Sequence, residues 1–286
     1  MVVSNKYTLR YNGTDLTYGN GFLVVNWSGG GINDVAAATP YGSGDGSYIS
    51  KYRAADRQII INIRVFRQSQ KRAVQLLFGQ RKSGTLTYIP DNNEDEAKEI
   101  DCVLVSAEPN GSVFPMDIPV TLLCPYPLWR GKARHLEQIC GTVNSWTFPW
   151  KFPSKKDFVF SRSKSGNSVI FEYDGTLPTG FVTVIKTKQA ISYVKLIDFY
   201  SKEQLYIEYS FPEGSEIIID TQSGSKGAKW KNSESGLDYT DISDCIEWGS
   251  TYLTINGGRN RIQISTSVGT NGIDAYIEYT SKAGGV

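Results

Sequence analysis

Short runs in which apolar and polar residues alternate recur along the whole chain. The clearest is RQIIINIRV at 57–65, where every second residue from Ile59 to Val65 is apolar. An alternation of period two is that of a strand with one buried face. Runs of this kind, separated by Gly, Asn and Pro turns, predict a mainly β protein built from antiparallel strands.

The first 130 residues are predicted to form one β domain. KYTLRYNGTDLTYG has the pattern of a hairpin that turns at Asn12-Gly13, because this pair tolerates the positive φ angles of a tight turn. GFLVVNW supplies a third strand. Three further runs complete the predicted sheet: GTLTYI at 84–89, DCVLVSA at 101–107 and DIPVTLLC at 117–124.

One segment, SQKRAVQLLFG, departs from the strand pattern. Ser69 is the predicted N-cap and Gly79 the predicted stop of a helix that covers the sheet. Its apolar stripe has helical spacing and consists of Ala73, Val74, Leu77 and Phe78.

The second half of the chain is predicted to be a separate domain. Four prolines and scattered tryptophans in residues 125–157 predict a connector, which is placed at residues 131–157. From 158 to 286, eight apolar runs without a helical stripe predict a jelly-roll or galectin-like β-sandwich. These runs are SVIFEY, FVTVIKT, YVKLIDFY, LYIEYSF, EIIID, YLTI, RIQIS and DAYIEY.

Residues 28–47, SGGGINDVAAATPYGSGDGS, are small and nearly uncharged. Such a segment cannot build a packed core alone, and a loop of this length is unusual unless it has a function. Two interpretations stay open: a mobile surface loop, or a protruding hairpin or arm that a neighbouring subunit holds.

The charge pattern narrows the choice of partner. The 30 basic and 29 acidic residues give a formal net charge of +1, so the chain as a whole has no attraction for phosphate backbones, and sequence-specific nucleic-acid binding is not expected. No apolar window approaches the length of a membrane span, and the N-terminus lacks the pattern of a signal peptide.

Candidate catalytic groups are few. The single histidine, His135, has no nearby cysteine or carboxylate motif, and no nucleotide-binding or metal-binding motif is found, so neither an enzyme activity nor a cofactor or metal is expected. Cys102, Cys124, Cys140 and Cys245 are far apart in sequence and are predicted to be reduced and mostly buried, with a Cys102–Cys124 disulfide left open.

Two alternatives concern sugars. A carbohydrate-binding module or adhesin would use exposed rings, for which the candidates are Trp230, Trp248 and Tyr252. A jelly-roll glycosidase would need a pair of facing carboxylates, drawn from Asp198, Glu208, Asp220 and Glu247.

The order of the elements resembles the siphophage distal tail protein family. The shared order is a hairpin, a Gly-rich arm, the strand RAADRQIIINIRV, one helix, GTLTYIPD, a strand pair that ends at CPYPLW, and a sandwich. The segment from Tyr48 to Arg67 is similar to the family's first domain. EGSEIIIDTQSGSKGAKW and YLTINGGRNRIQIS resemble its second domain.

This resemblance implies a structural protein at the distal end of a virion tail, assembled in the cytoplasm of the host bacterium. Six copies would form a ring through residues 1–130, with an open lumen for DNA. The ring would bind the major tail tube protein on one side and a tail-associated lysin or fibre protein on the other. Saccharide recognition is not carried over from the resemblance, because the sandwich has no decisive sugar-binding motif, and host cell-wall saccharide stays an open partner. The subunit-interface candidates in and beside the arm are Gly42, Gly44, Gly46, Tyr48, Arg53, Asp56 and Arg57.

Overall fold

The computed structural model places the chain in two compact units, one formed by residues 1–133 and 282–286 and the other by residues 134–281. The residues that the structure describes are 7–17, 23–32, 34–41, 45, 47–79, 83–144, 161–164, 166–232 and 238–286.

The first unit is an antiparallel β structure with one α-helix in its described part. Its main sheet has the order β3-β6-β9-β8-β7-β1-β2, and β4 pairs with β5 in a separate two-stranded sheet. The elements are β1 Tyr7–Tyr11, β2 Thr14–Asp15, β3 Leu23–Ser28, β4 Asp34–Pro40, β5 Ser47–Ala54, β6 Arg57–Val65, α1 Gln68–Leu77, β7 Ser83–Pro90, β8 Lys98–Ala107, β9 Met116–Cys124 and the start of β10 Trp129–Asn144.

Two local predictions in this unit are confirmed. Asn12 and Gly13 have φ angles of 48° and 80°, and they join β1 to β2 through the paired residues Tyr11 and Thr14. The odd-numbered residues of β6 are buried from Arg57 to Val65, and the four apolar ones are completely covered by the core. The alternating sequence therefore sets which face of β6 points inward.

The helix differs in detail from its prediction. The N-cap is Arg67 rather than Ser69, because the side chain of Gln70 reaches back and its Oε1 accepts a hydrogen bond from the backbone N–H of Arg67 at 3.2 Å. Val74 and Phe78 enter the core as expected, whereas Ala73 is exposed.

The second unit is a sandwich, which confirms the fold class. One sheet has the order β18-β17-β16-β13-β20-β10 and the other β12-β19-β14-β15, and one apolar core draws its residues from both sheets. The strands are the rest of β10, β11 Ser161–Lys164, β12 Ser168–Tyr173, β13 Val182–Thr187, β14 Ile191–Asp198, β15 Gln204–Phe211, β16 Ser215–Asp220, β17 Gly227–Asn232, β18 Thr240–Asp241, β19 Gly258–Thr266 and β20 Ile273–Ala283.

The observed division of the chain differs from the predicted one. Residues 131–144 form most of β10 instead of a connector, because Ile139 and Cys140 are buried in the sandwich core. Residues 282–286 return to the first unit. YLTI, predicted as a strand, contributes a single bridge between Thr179 and Ile255, and the strand β17 was not predicted.

Candidate assembly interface

The arm forms a β-hairpin whose two strands pair with each other in a sheet of their own. Asp34 pairs with Ala54 at the base, Pro40 pairs with Ser47 at the far end, and the register shifts between Ala37 and Ala38. Ser50 Oγ donates a hydrogen bond to the carbonyl of Ala37 at 3.0 Å beside this shift. The small side chains of the sequence therefore form an ordered ribbon in this part of the chain.

The hairpin exposes apolar surface. Ile49 is 62% exposed, and Tyr41 and Tyr48 are about half exposed, with their ring centroids 5.6 Å apart. A two-stranded hairpin is at best marginally stable in water, because it buries little apolar surface and leaves one edge of each strand unpaired. A surface of this kind is suited to a partner that covers it.

The predicted interface residues lie in different surroundings. Gly42, Gly44 and Gly46 lie outside the described residues. Tyr48 is on the exposed hairpin, and Asp56 is exposed just before β6. Arg53 pairs with Val35 in the hairpin, and nothing is described of its side chain.

Arg57 lies inside the subunit, with only 2% of its surface exposed. Its guanidinium donates to the backbone carbonyls of Pro127 and Gly29 at 2.8 and 2.7 Å, and also to that of Gly31. A further bond of 2.5 Å reaches the carbonyl of Gly284. Arg57 thus binds segments that are far apart in sequence.

These bonds fix the base of the hairpin. Gly29 and Gly31 precede the hairpin, and Arg57 follows it, so one guanidinium holds both ends of the excursion. Gly29 has φ of +91°, and a Cβ there would clash with the carbonyl of Gln58, so the close approach requires glycine. The sequence carried a signal for this role, since Arg57 shares the inward-facing register of Ile59 and Ile61.

The three aromatic residues predicted to contact saccharide differ in their exposure. Trp230 is partly buried and packs against Tyr209 and Phe211, with its Nε1 buried. Tyr252 packs against the same core. Trp248, in contrast, is 100% exposed.

Trp248 stands on an ordered turn. The backbone N–H of Ser250 donates to the carbonyl of Glu247 at 3.1 Å, and Gly249 has φ of +91°. The turn is tied to β15, because the N–H of Glu247 donates to the carbonyl of Tyr206 at 2.9 Å. The backbone that carries the uncovered indole is therefore held in place.

The four candidate carboxylates do not share one surface. Asp198 is buried at the end of β14, where its Oδ1 and Oδ2 accept hydrogen bonds from the Tyr200 N–H and the Ser201 hydroxyl. Glu208 lies on β15 of one sheet and Asp220 on β16 of the other. The fourth, Glu247, is in the turn just described.

The single histidine, His135, stacks on Tyr279, with ring centroids 5.1 Å apart.

All four cysteines are free thiols. Cys102 and Cys124 are buried next to each other on β8 and β9, and a hydrogen bond between their side chains raises the pKa of Cys102 and lowers the pKa of Cys124. Arg57 lies close enough to lower the pKa of Cys124 further. Cys140 is buried, and Cys245 is partly exposed.

Known proteins resemble this chain both in part of the sequence and in the fold. Residues 174–282 match the sequence profile described as siphovirus-type tail component, C-terminal domain. No curated protein matches the chain. The crystal structure of SPP1 Dit, described as a paradigm of hub adsorption apparatus in Gram-positive infecting phages, is 13% identical, with a TM-score of 0.69 over 97% of this chain and 99% of that chain.

A second similar structure is a chain of the phage P2 baseplate in its activated conformation with Ca. It is 12% identical, with a TM-score of 0.50 over 98% of this chain and 99% of that chain. At identities this low, the two structural matches show a similar fold alone. The profile match, in contrast, is a similarity of sequence. Residues 174–282 therefore match the siphovirus-type tail component, C-terminal domain, in sequence, and the chain as a whole has a fold similar to that of SPP1 Dit, as its order of elements indicated.

Proposed function

We propose that the chain is the distal tail hub of a siphophage or prophage, in which six copies form a ring that joins the tail tube to the tail-tip proteins. The observation that carries this proposal is the β4–β5 hairpin, an ordered ribbon with exposed apolar side chains on a fixed base. A closed ring requires a heterologous interface, in which one surface of a subunit meets a different surface of the next. A hairpin held by the neighbouring subunit meets that requirement.

The role is structural rather than catalytic. The major tail tube protein would bind one face of the ring, and a tail-associated lysin or fibre protein the other. The formal net charge of +1 suits a lumen through which DNA must pass without being held. The site of action would be the distal end of the virion tail, after assembly in the cytoplasm of the host. SPP1 Dit, which has a similar fold, is described as part of a hub adsorption apparatus.

The test is the mass of the purified chain in solution. Light scattering after size exclusion should give six times the 31.8 kDa of one chain, and negative-stain images should show six-fold views with a central hole. Ile49→Asp should break the assembly into smaller species, because it places a charge on the exposed apolar face of the hairpin.

The matched control is Ile170→Asp, which changes a similarly exposed isoleucine on β12 of the second unit. This variant should keep the mass of the parent protein. A parent that remains a single chain at high concentration, or an Ile49→Asp variant that assembles as well as the parent, would contradict the proposal.

A further inference from the structure

The outer face of the sheet β18-β17-β16-β13-β20 contains a groove that the ring proposal does not use. Cross-strand pairing sets side chains in rows, because paired residues point to the same face. Val182 pairs with Asp220, which in turn pairs with Gly227. In the adjacent row on the same face, Ile218 pairs with Lys229. Gly227 leaves a gap at the end of its row, and the groove lies over this part of the sheet.

The groove has a volume of about 440 Å³. This is within the range of sites that bind small molecules. Val182 and Ile218 form an apolar floor, and polar side chains surround it. The polar lining consists of Asp220, Ser225, Lys226, Lys229, Tyr239, Asp241 and Ser243.

One wall is held in place by Tyr239. Its hydroxyl donates a hydrogen bond to Glu216 Oε1 at 2.5 Å, and the Nζ atoms of Lys231 and Lys229 lie 4.4 and 5.0 Å from its ring centroid. Desolvation and the neighbouring Glu216 raise the pKa of Tyr239, so the phenol stays protonated at neutral pH. The ring is therefore fixed before any ligand arrives.

The same wall continues along β18 through Asp241 and Ser243. Asp241 Oδ1 accepts hydrogen bonds from the Ser243 hydroxyl at 2.6 Å and from its N–H at 2.8 Å. These bonds lower the pKa of Asp241, so it remains a carboxylate at neutral pH and can accept hydrogen bonds from a ligand. Walls that are ordered in advance reduce the entropy lost on binding.

The composition of the lining selects the class of ligand. Lys226 and Lys229 are balanced by Asp220 and Asp241, so neither an anion nor a cation is favoured. A purely apolar ligand would desolvate these four charges without giving them partners. A ligand with an apolar ring face and many hydroxyl groups can contact the floor and also donate to carboxylates and accept from ammonium groups.

The groove continues past Val182. A second depression of about 280 Å³ shares this residue and is lined by Arg134, Gln222, Glu278, Tyr279 and Thr280. The guanidinium of Arg134 is paired with Glu278 at 2.9 Å, so the charge here is also balanced. An extended ligand can therefore run across the strands from Gly227 past Asp220 and Val182 toward Arg134.

We propose that this groove binds a short, uncharged oligosaccharide. The lining residues do not include the aromatic residues Trp230, Trp248 and Tyr252 that the sequence suggested for saccharide contact. All of them belong to the second unit. The proposal therefore does not depend on assembly into a ring.

The test is binding of three neutral probes to the full chain: maltotetraose, tetra-N-acetylchitotetraose and β-1,4-galactotetraose. Saturation-transfer difference NMR, which observes the ligand, should show binding of at least one probe with a dissociation constant of about 1 mM or tighter. Lys229→Ala removes one wall donor from an exposed position and should weaken binding at least about fivefold. Val182→Trp fills the floor and should abolish binding.

The matched controls are Lys195→Ala, on β14 of the other sheet, and Trp248→Ala. Both should bind the probe as the parent does. Binding of none of the probes would overturn the proposal, as would equal loss in Lys229→Ala and Lys195→Ala, or competition by inorganic phosphate. The mass of each sample, recorded at the same time, separates this outcome from a failure of the ring.

Discussion

Arg57 donates hydrogen bonds to four backbone carbonyls, and these belong to three separate segments of the first unit. Its contribution differs from that of a surface ion pair, because the guanidinium and the carbonyls are removed from water. Loss of the side chain would leave buried carbonyl oxygens without these donors. Lysine is not equivalent, since a single ammonium cannot reproduce the planar fork of donors.

Arg57→Ala is expected to lower the free energy of unfolding by about 3 kcal/mol or more, in urea denaturation followed by tryptophan fluorescence. The control is Arg64→Ala on the same strand, where the guanidinium pairs with Asp117 at 2.7 Å in a partly exposed setting. Arg64→Ala should lower the free energy of unfolding by under about 1 kcal/mol. Equal effects of the two changes would mean that Arg57 is not the anchor described here.

At the scale of elements, one carboxylate links three strands of the first unit. Asp101 on β8 accepts two hydrogen bonds from Arg130 on β10, at 2.6 and 2.7 Å, and one from the hydroxyl of Thr85 on β7 at 3.0 Å. The bonds from Arg130, followed by that from Thr85, hold the pKa of Asp101 below its ordinary value of 3.8. The folded state therefore binds the proton of this group less tightly than the unfolded chain does.

The lowered pKa of Asp101 makes the stability of the first unit depend on pH. The stabilisation from Asp101 is fully present above the ordinary pKa of 3.8 and is lost as the pH falls through the lower folded-state value. Because Asp101 and Arg130 are about half exposed, the contribution is expected to be under about 1 kcal/mol. Asp101→Asn should be slightly less stable than the parent at pH 7 and equal to it near pH 2, measured by urea denaturation across that range. A constant difference at all pH values would contradict this account.

The elements that the sequence predicted are those whose pattern is local. The alternation in β6 and the Asn12-Gly13 turn needed no information from elsewhere in the chain. β10 was missed because it carries many charged residues, and, among its described side chains, those in the sandwich core are the adjacent pair Ile139 and Cys140 rather than an alternating set. The N-cap was missed because Gln70 caps from within the helix, whereas Ser69 is the more usual capping residue type.

The candidate site was predictable only in part. The arm could be located from its small, uncharged composition, and its hairpin form was one of the readings left open. The role of Arg57 could not be worked out in full, because its partners at Gly29, Pro127 and Gly284 are distant in sequence. The groove near Tyr239 depends on the register of β13, β16 and β17, and one of those strands was not predicted.

At the scale of the whole molecule, the last residues of the chain complete the first unit. Ala283 is buried in its core, and the Gly284 carbonyl binds Arg57. A variant that ends at Ser281 should therefore keep the sandwich folded while the first unit opens more readily. Hydrogen exchange followed by mass spectrometry should show faster exchange in β6 and β9 than in β14 and β19.

The control for this prediction is Ser281→Ala, which retains the tail and should exchange like the parent. Equal protection of β6 in the truncated and parent chains would show that the tail does not stabilise the first unit.

The contact between Arg57 and Gly284 has a consequence for biosynthesis. A ribosome making this protein has emitted the hairpin and its anchor long before it reaches Gly284, so Arg57 lacks one of its acceptors until that residue has been added. A chain that stops before Gly284 lacks one of the bonds that hold the base of the hairpin, so such a product is expected to present the hairpin less firmly than a chain that includes this residue.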